Sequence, residues 1–481
     1  MARQALDTGG LGVVRRSVFA ILGLGAAIAA GFISVATPSR DLALTLGAAF
    51  AGVVLLLLAY TRFQSFVLAL LVVRATLDWT KAPSDIDGPT TSGPMAMALA
   101  LLFLGATALW LLVQFRTGRL RRPSLLSIAW VVFLGVAFFS ALAADRRMES
   151  LAEWGRIATV VAMLLVLEQM LGAGLNARQV LAACFLSAVL PLGVAAYQAI
   201  GDGSAGVLHG VARVQGTFAH PNAFGFYLAI LITMGAALLP HVAPTTRPML
   251  LAFLWISAAA TILTSSRGSW FVLVVGLIVV GALQSPRVVV LVLGAAAVIA
   301  LTVPNVLTRL SDLQTEPRAA GIEGNSLAWR LDYWGSLIDL TNDSPIIGIG
   351  PKMTEYVSES GKVPHNDFLR AYVETGTLGL VAYIGVVAAL FQTARLALRR
   401  APDGLGQGVA VGFAGCVSAF LVFSVGENLM SQVVVLWYFV AFAAAAITFA
   451  RGYHDVGETR PDGRDENGQI ALVPWFADGR Q

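Results

Sequence analysis

Charged residues are scarce in this chain of 481 residues: Asp, Glu, Lys and Arg make up 12% of it, against roughly 25% in an average soluble domain. Hydrophobic residues make up 57%, and the mean hydropathy is +0.76. This composition excludes a soluble globular protein.

Cysteine is also nearly absent. Because Cys184 and Cys416 both lie in apolar runs, we expect them to pack as small apolar residues rather than to form a disulfide or a metal site.

Several motifs that carry chemistry are missing. The sequence has no Walker lysine loop, no paired His or Cys residues at metal-ligand spacing and no Gly-x-Ser-x-Gly elbow. Gly348-Ile349-Gly350 is too short for a dinucleotide fingerprint and predicts a turn. We therefore expect no metal and no cofactor.

Apolar runs near the ~20 residues that cross a bilayer recur from Ser17 to Ala450. They predict an all-α polytopic membrane protein with about fourteen transmembrane helices, about twelve being the alternative count. The predicted spans are 17–36, 41–60, 63–80, 93–115, 124–144, 156–171, 180–200, 222–240, 249–264, 269–284, 287–304, 376–393, 407–425 and 432–450. Residues 1–450 would form the transmembrane domain, and the polar residues 451–481 a disordered tail.

The basic residues indicate the orientation of the chain. They lie near span ends on one alternating set of loops, which predicts that this side, with both termini, is cytoplasmic. The residues concerned are Arg15, Arg16, Arg62, Arg116, Arg119, Arg121, Arg122, Arg178, Arg247, Arg287, Arg395, Arg399 and Arg400. The net charge of +4 is thereby explained by topology and contact with membrane lipid, so nucleic-acid binding is not expected.

The opposite, exoplasmic side carries one long loop, residues 305–375. Within it, Leu327, Trp329, Trp334, Leu337 and Ile338 recur at helical spacing. They predict a helix that covers the outer face as a lid.

Three positive or titratable residues lie on the predicted exoplasmic side in places that topology does not explain. Arg213 precedes a span, Arg267 lies in a tight turn between two spans, and His365 ends the long loop. Arg213 alone is typical of an ordinary loop charge, and Arg267 alone of snorkelling into headgroups. Beside Ser265, Ser266 and two helix ends, however, Arg267 also suits the binding of an oxyanion.

Neighbouring residues have structural alternatives. His220 and Asn222 suit either turn and helix-cap chemistry or a site. Asn366 or the following Asp would cap the helix after His365, which is compatible with a functional imidazole. Glu374 lies about 13 Å further along that helix, and we expect it to be structural or to act through a neighbour.

Five short motifs, in this order, resemble those of the superfamily of O-antigen ligases and Wzy-type O-antigen polymerases. They are Arg213-x-x-Gly-x-Phe-x-x-Pro-Asn222, Ser266-Arg267-Gly268, Arg330-Leu-Asp-Tyr-Trp334, Pro345-Ile-Ile-Gly-Ile-Gly350, and His365-Asn366-x-x-Leu followed by Glu374-x-Gly-x-x-Gly379. The resemblance covers roughly residues 205–390, and the first four spans carry little of it.

The resemblance implies a GT-C-like glycosyltransferase of the bacterial inner membrane, which takes a glycan from undecaprenyl diphosphate on the periplasmic face, without a metal and with inversion. The acceptor would be lipid A-core in a ligase, or a carrier-linked glycan in a polymerase. Carried over residue by residue, Arg213 and Arg267 would hold the diphosphate, and His365 would activate or position the acceptor hydroxyl. Arg330 is a lesser candidate.

A transporter or flippase of lipid-linked or small polar substrates is the alternative, since about fourteen spans also suit that class. Coupled transporters usually keep ionisable groups near the bilayer midplane, whereas Asp41, Glu168 and Glu427 lie near predicted span ends. A scaffold for a polysaccharide export complex is a third alternative, and it does not explain the cationic groups.

Overall fold

The computed structural model describes residues 53–80, 94–201, 207–208, 211–302, 327–358 and 361–452. Its helices, numbered in chain order, are α1 Phe63–Arg74, α2 Pro94–Arg116, α3 Leu125–Ala143, α4 Arg147–Gly172, α5 Ala177–Leu186, α6 Val189–Ile200, α7 Pro221–Leu238, α8 Arg247–Leu263, α9 Arg267–Gln284, α10 Pro286–Thr302, α11 Leu327–Asp339, α12 Thr354–Val357, α13 Asp367–Arg400, α14 Leu405–Gly426 and α15 Val433–Ala450. Residues 53–61 are also helical, and Val207–Leu208 pairs antiparallel with Val211–Ala212.

Within the described ranges, nine helical segments are long and apolar enough to cross a membrane, and three shorter apolar helices accompany them. Together they coincide with the predicted spans from residue 63 onward. The predicted all-helical membrane architecture is confirmed for this part of the chain. The predicted span 17–36, most of the span 41–60 and all but the first two residues of the predicted tail lie outside the described residues.

Three of the predicted spans differ from the observed helices in their bounds or continuity. Helix α4 begins at Arg147 rather than at residue 156, and the buried Glu153 in its second turn forms ion pairs with Arg156 and Arg370. The predicted span 180–200 is broken at residues 187–188 into α5 and α6. Pro191 explains the break, since proline lacks an N–H and its ring collides with the carbonyl four residues earlier.

The predicted span 376–393 belongs to the longer α13, which is kinked at Gly376 (φ 70°, ψ −170°). The loop 345–350 packs its backbone against this kink. A Cβ on Gly376 would lie 2.2 Å from the carbonyl carbon of Ile346, so only glycine fits both the conformation and the space. The kink divides α13 into an outer segment, residues 367–375, and the remainder.

Helix α15 is a central element of the bundle, because every residue from Val433 to Ala450 is buried. Small residues allow neighbouring helices to approach closely. A Cβ on Gly412 would lie 2.6 Å from the sulfur of Met234, and one on Gly415 would lie 2.7 Å from Cγ2 of Thr233. Such contacts are the usual means of packing helices in a membrane, where helix association expels no water.

One end of the bundle is rich in arginine. The buried carboxylate of Glu168 accepts the N–H of Ser124 (2.6 Å) and an N–H of Arg451 (2.8 Å). Arg451 also donates to the carbonyl of Arg122 (3.0 Å). These contacts join the start of α3 with the ends of α4 and α15, and the opposite end of the bundle carries the site.

Candidate functional site

Arg213 lies in the segment before α7 and is 8% exposed. Its Nε donates to the carbonyl of Thr264 (2.7 Å), and its Nη2 donates to Oδ1 of Asn222 (2.8 Å). Thr264 ends α8, and Asn222 lies in the first turn of α7. Because two helices hold the planar guanidinium, Arg213 has a fixed orientation.

The turn between α8 and α9 is a capped helix start. Ser266 is the N-cap of α9, and its hydroxyl accepts the N–H of Ser269 (3.4 Å). The Ser269 hydroxyl in turn donates to the carbonyl of Asn222 (3.2 Å), which ties α9 to α7. Arg267, half-buried, is the first residue of α9. The positive end of this helix therefore carries a guanidinium.

His365 lies immediately before α13 with a positive φ of 52°. Asn366 caps the helix, its Oδ1 accepting the N–H groups of Phe368 (3.0 Å) and Leu369 (3.1 Å). The imidazole Nδ1 lies 2.8 Å from Oε2 of Glu427, which follows α14. Since a carboxylate accepts, Nδ1 donates, and in the neutral form of the imidazole Nε2 carries the lone pair. The side chain of His365 is 30% exposed, so a ligand can reach it.

The helix of the long loop holds the chain beside His365. The indole of Trp334 in α11 donates to the carbonyl of Pro364 (2.6 Å). Helix α11 also packs on the outer segment of α13, where Leu337 contacts Val373 in a small buried cluster. This helix lies where the amphipathic pattern of the loop predicts one, and it fixes the backbone from which the imidazole extends.

These groups belong to one cluster, which we call the His365 cluster. His220, the N-cap of α7, interacts electrostatically with Arg213, Glu427 and His365. A Cβ on Gly268 would lie 4.0 Å from Oε1 of Glu427, so the start of α9 lies beside the carboxylate that binds the imidazole. The N-termini of α7, α9 and α13 thus meet here. Each carries a partial positive charge of roughly half a unit, and together they favour an anion.

His220 is neutral in this environment. Desolvation by the surrounding protein, with a smaller contribution from the positive charge of Arg213, lowers its pKa to about 4, although the residue is exposed on one side. Its Nδ1 accepts the N–H of Asn222 (3.1 Å). The ring proton therefore sits on Nε2, which is a hydrogen-bond donor rather than a base.

A second charged cluster, which we call the Arg370 cluster, lies deeper and is buried. Arg370, 1% exposed, donates to Glu153 (3.1 Å) and to Glu374 (2.9 Å). Thr354 donates to the second oxygen of Glu374 (2.6 Å), and Arg370 also donates to the hydroxyl of Ser431. The cluster thus fastens the outer segment of α13 to α4 and to the turn that precedes α15.

Most of the predicted site residues come together in the structure. The members of the His365 cluster among them are Arg213, His220, Asn222, Ser266, Arg267, His365 and Asn366. Glu374 lies in the Arg370 cluster instead. Arg330 lies in α11, and its side chain is outside the described residues.

Sequence reasoning missed two parts of the arrangement. Glu427 is 62 positions from His365. The sequence showed only that it is an acidic residue at the end of an apolar span. Glu153 and Arg370 were missed because both lie outside the predicted membrane spans, where a charge needs no buried partner. Only the fold shows that both are buried.

Residues 252–384 match a family model described as O-antigen ligase (Wzy_C). The predicted family is supported over this segment of the chain. The matched segment contains Arg267 and His365, whereas Arg213 and Glu427 lie outside it. The family implies O-antigen ligase or polymerase activity, with a lipid-linked glycan and an acceptor as substrates, and the apolar helices agree with an integral membrane protein. A search among curated proteins gave no match.

Proposed function

We propose that this protein transfers a glycan from undecaprenyl diphosphate to a hydroxyl group of lipid A-core or of another carrier-linked glycan. The observation that supports this most is the convergence of two arginines, Arg213 and Arg267, with the paired His365 and Glu427 at three helix N-termini. A diphosphate leaving group requires positive charge, and an attacking hydroxyl requires a base. The His365 cluster contains both.

Arg213 and Arg267 would bind the diphosphate. Guanidinium groups stay protonated at any physiological pH and bind phosphate oxygens in a bidentate manner. Their positive charge gains most when the bond between the sugar and the diphosphate breaks, because negative charge then grows on the leaving oxygen. The N–H of His220 Nε2 is a further donor at this place that adds no net charge.

His365 would act on the acceptor. The acceptor oxygen attacks the anomeric carbon, the bond from that carbon to the diphosphate oxygen breaks, and its electron pair stays on the diphosphate. The hydroxyl proton passes to Nε2 of His365. Glu427 holds the Nδ1–H and stabilises the imidazolium that forms, as the carboxylate does in other carboxylate–histidine pairs.

One direct displacement inverts the anomeric configuration, and it needs no covalent sugar intermediate. Glu427 is hydrogen-bonded to His365, which suits an orienting role rather than that of a nucleophile. Two guanidinium groups and three helix N-termini supply the positive charge that the leaving group requires. The proposed step therefore does not depend on a metal ion.

The arginine-rich end of the bundle supports a periplasmic site. Arg122, Arg451 and their neighbours lie at the end opposite to His365, and basic residues are retained on the cytoplasmic side. We place the termini in the cytoplasm, the His365 cluster on the periplasmic face of the inner membrane, and α11 over it as part of a lid. Residues 1–450 would act as one GT-C-like domain, with a tail beyond it.

A transfer assay with the purified protein in nanodiscs tests the proposal. Supplied with an undecaprenyl diphosphate glycan and an acceptor, the protein is expected to release undecaprenyl diphosphate and to extend the acceptor. Arg399→Ala, at the arginine-rich end, is the matched control and should keep full activity, whereas Arg267→Ala should lose it.

Two outcomes separate the alternatives. Movement of the intact donor across a vesicle bilayer without any transfer would favour a flippase and contradict the proposal. In a deletion strain, accumulation of single lipid-linked repeat units would indicate a polymerase, and accumulation of full-length chains a ligase.

A further inference from the structure

A cavity of about 520 Å³ lies at the same end of the bundle as the His365 cluster. Its walls come from the end of α1, the starts of α2, α4 and α15, and the segment around Tyr356. Among the described residues, neither Arg213, Arg267 nor His365 lines it. Its volume is in the range of small-molecule sites, roughly 300–1,000 Å³. The cavity is thus separate from the proposed diphosphate site.

Arg74 provides an unused cation on the cavity wall. Its guanidinium lies over the indole of Trp437, 5.6 Å from the ring centroid, and the indole is fixed by its hydrogen bond to Thr159 (3.1 Å). Asp78 attracts Arg74 through space. Within the described part of the chain, no hydrogen-bond acceptor pairs with the guanidinium of Arg74. Its N–H groups therefore remain available to a ligand in the cavity.

The charge of the wall favours an anion. Among the lining residues are three cations, Arg74, Arg156 and Lys352, and two carboxylates, Glu149 and Glu153. Asp78, which attracts Arg74, does not line the cavity. The charge of Glu153 is already shared by Arg156 (2.6 Å) and, from the Arg370 cluster, by a second guanidinium. Arg156 also repels Arg74, and a bound anion would relieve that repulsion. Guanidinium groups bind phosphate oxygens with two parallel hydrogen bonds.

The remaining wall suits a hydrocarbon chain. Apolar residues of α2 form one side of the cavity, and two of them, Met97 (46% exposed) and Leu101 (65% exposed), also lie on the outer surface of the bundle. In a membrane, this surface contacts lipid tails. A ligand with an anionic head and an apolar tail could therefore enter from the bilayer without crossing a polar region.

The cavity is also connected to the His365 cluster by the chain. Glu427 binds the imidazole, and Val433 and Trp437, at the start of α15, line the cavity. Only a short turn lies between them, and Arg156 donates to the carbonyl of Ser431 within it (3.1 Å). A molecule bound in the cavity thus lies against the same segment that carries Glu427.

We infer that this cavity binds a phosphate-bearing lipid, with Arg74 as the phosphate anchor and Trp437 and α2 as the wall for its chain. The phosphate-bearing lipid that we expect in this cavity is the lipid-linked acceptor of the transfer reaction. This assignment rests on the proposed function, whereas the lipid-binding site itself does not. The donor diphosphate would be held by Arg213 and Arg267, so each lipid would have its own cationic anchor.

A binding experiment tests the site without any transfer. The probe is dioleoyl phosphatidic acid, titrated into the purified protein in phosphatidylcholine nanodiscs and counted by native mass spectrometry. Arg74→Gln removes the charge-assisted hydrogen bonds and should weaken binding by about tenfold to hundredfold. Arg116→Gln, at the other end of α2, is the matched control and should bind like the wild type. Ala152→Trp fills the cavity while keeping every charge, and it should also lose binding.

Wild-type affinity in both Arg74→Gln and Ala152→Trp would overturn the site. The kinetic arm then identifies its occupant. If the acceptor occupies the cavity, Arg74→Gln raises the KM for the acceptor by at least about tenfold and leaves the KM for the donor unchanged. Unchanged KM values despite lost phosphatidic acid binding would assign the cavity to a bulk phospholipid and overturn the acceptor assignment. Absence of transfer in the wild type would contradict the proposed function, whereas the phosphatidic acid titration would still test the lipid-binding site.

Discussion

Two charged clusters at the same end of the bundle differ in how their charges are balanced. In the Arg370 cluster, the guanidinium is 1% exposed and shared between Glu153 and Glu374. In the His365 cluster, the imidazole is 30% exposed and has one carboxylate partner, Glu427. The first cluster has its charges balanced inside the protein, whereas the second leaves part of the imidazole accessible from outside.

This difference indicates that the Arg370 cluster stabilises the fold, whereas the His365 cluster can take part in the reaction. A buried cation with two carboxylate partners fixes helices, and removing it leaves uncompensated charges in the interior. A partly exposed imidazole with one orienting partner can exchange a proton with a ligand. The following substitutions are expected to affect folding in the first cluster and transfer in the second.

The largest effect is expected for Arg370→Met. The substitution leaves the carboxylates of Glu153 and Glu374 buried without their shared cation, which costs about 3–5 kcal/mol. The protein should then fail to reach its folded, monodisperse form, as measured by size-exclusion chromatography and thermal unfolding in detergent. Arg399→Met, on an exposed position, is the control. A folded Arg370→Met protein with wild-type thermal stability would show that the cluster does not hold the outer segment of α13.

The next effect is expected at the kink of α13. Gly376→Ala places a Cβ 2.2 Å from the Ile346 backbone at a positive φ, in a conformation that is essentially restricted to glycine and costs about 1–3 kcal/mol before the clash is added. Gly385→Ala, in the same helix, has no atom within 4 Å of the added Cβ and is the matched control. Equal melting temperatures for the two variants would contradict the described packing of the 345–350 loop.

Arg267→Lys is expected to lower activity nearly as much as Arg267→Ala does. Lysine keeps the charge but loses the planar fork that binds a diphosphate at two points, so binding of undecaprenyl diphosphate should weaken by about tenfold to hundredfold. Equilibrium binding to each purified variant measures this. Full activity of the lysine variant would mean that a point charge suffices. Wild-type binding by the alanine variant would show that Arg267 only contacts lipid headgroups.

The smallest effect is expected from His220. Its pKa is lower in the folded protein (about 4) than the ordinary 6.5, so unfolding takes up a proton between these values and stability falls as the pH drops through that window. His220→Asn keeps a helix cap and removes the titration. Thermal unfolding from pH 7 to pH 4 should therefore show a smaller loss of stability in the variant than in the wild type. Identical pH profiles would contradict the lowered pKa.

The sequence predicted most of the membrane spans and the residues of the candidate site that stand on the predicted exoplasmic side, but not how those residues contact one another. Apolar runs identify the spans because a segment that crosses a membrane must be apolar outside and must satisfy its backbone hydrogen bonds within a helix. Arg213, Arg267 and His365 stood out because the topology of the chain did not explain them. Sequence patterns did not reveal that Glu427 meets His365, since contacts between distant segments depend on how the helices pack.

The kink and the buried charges escaped prediction for the same reason. The motifs around Gly348 and Gly376 were visible, but their meaning lies in a backbone contact: a Cβ on Gly348 would be 2.5 Å from the carbonyl carbon of Glu374. The charges at Glu153 and Arg370 seemed to lie outside the membrane spans, because the contact between them joins two helices that are far apart in the sequence. Both features require the three-dimensional arrangement.

The central claim is that His365, oriented by Glu427, takes the proton of the acceptor hydroxyl. It is tested most directly by single-turnover transfer with purified His365→Ala protein, alongside donor binding and thermal unfolding of the same sample. The account predicts wild-type folding and wild-type binding of undecaprenyl diphosphate, with a transfer rate lower by about 10²–10⁴-fold. A His365→Ala enzyme that transfers glycan at close to the wild-type rate would contradict it.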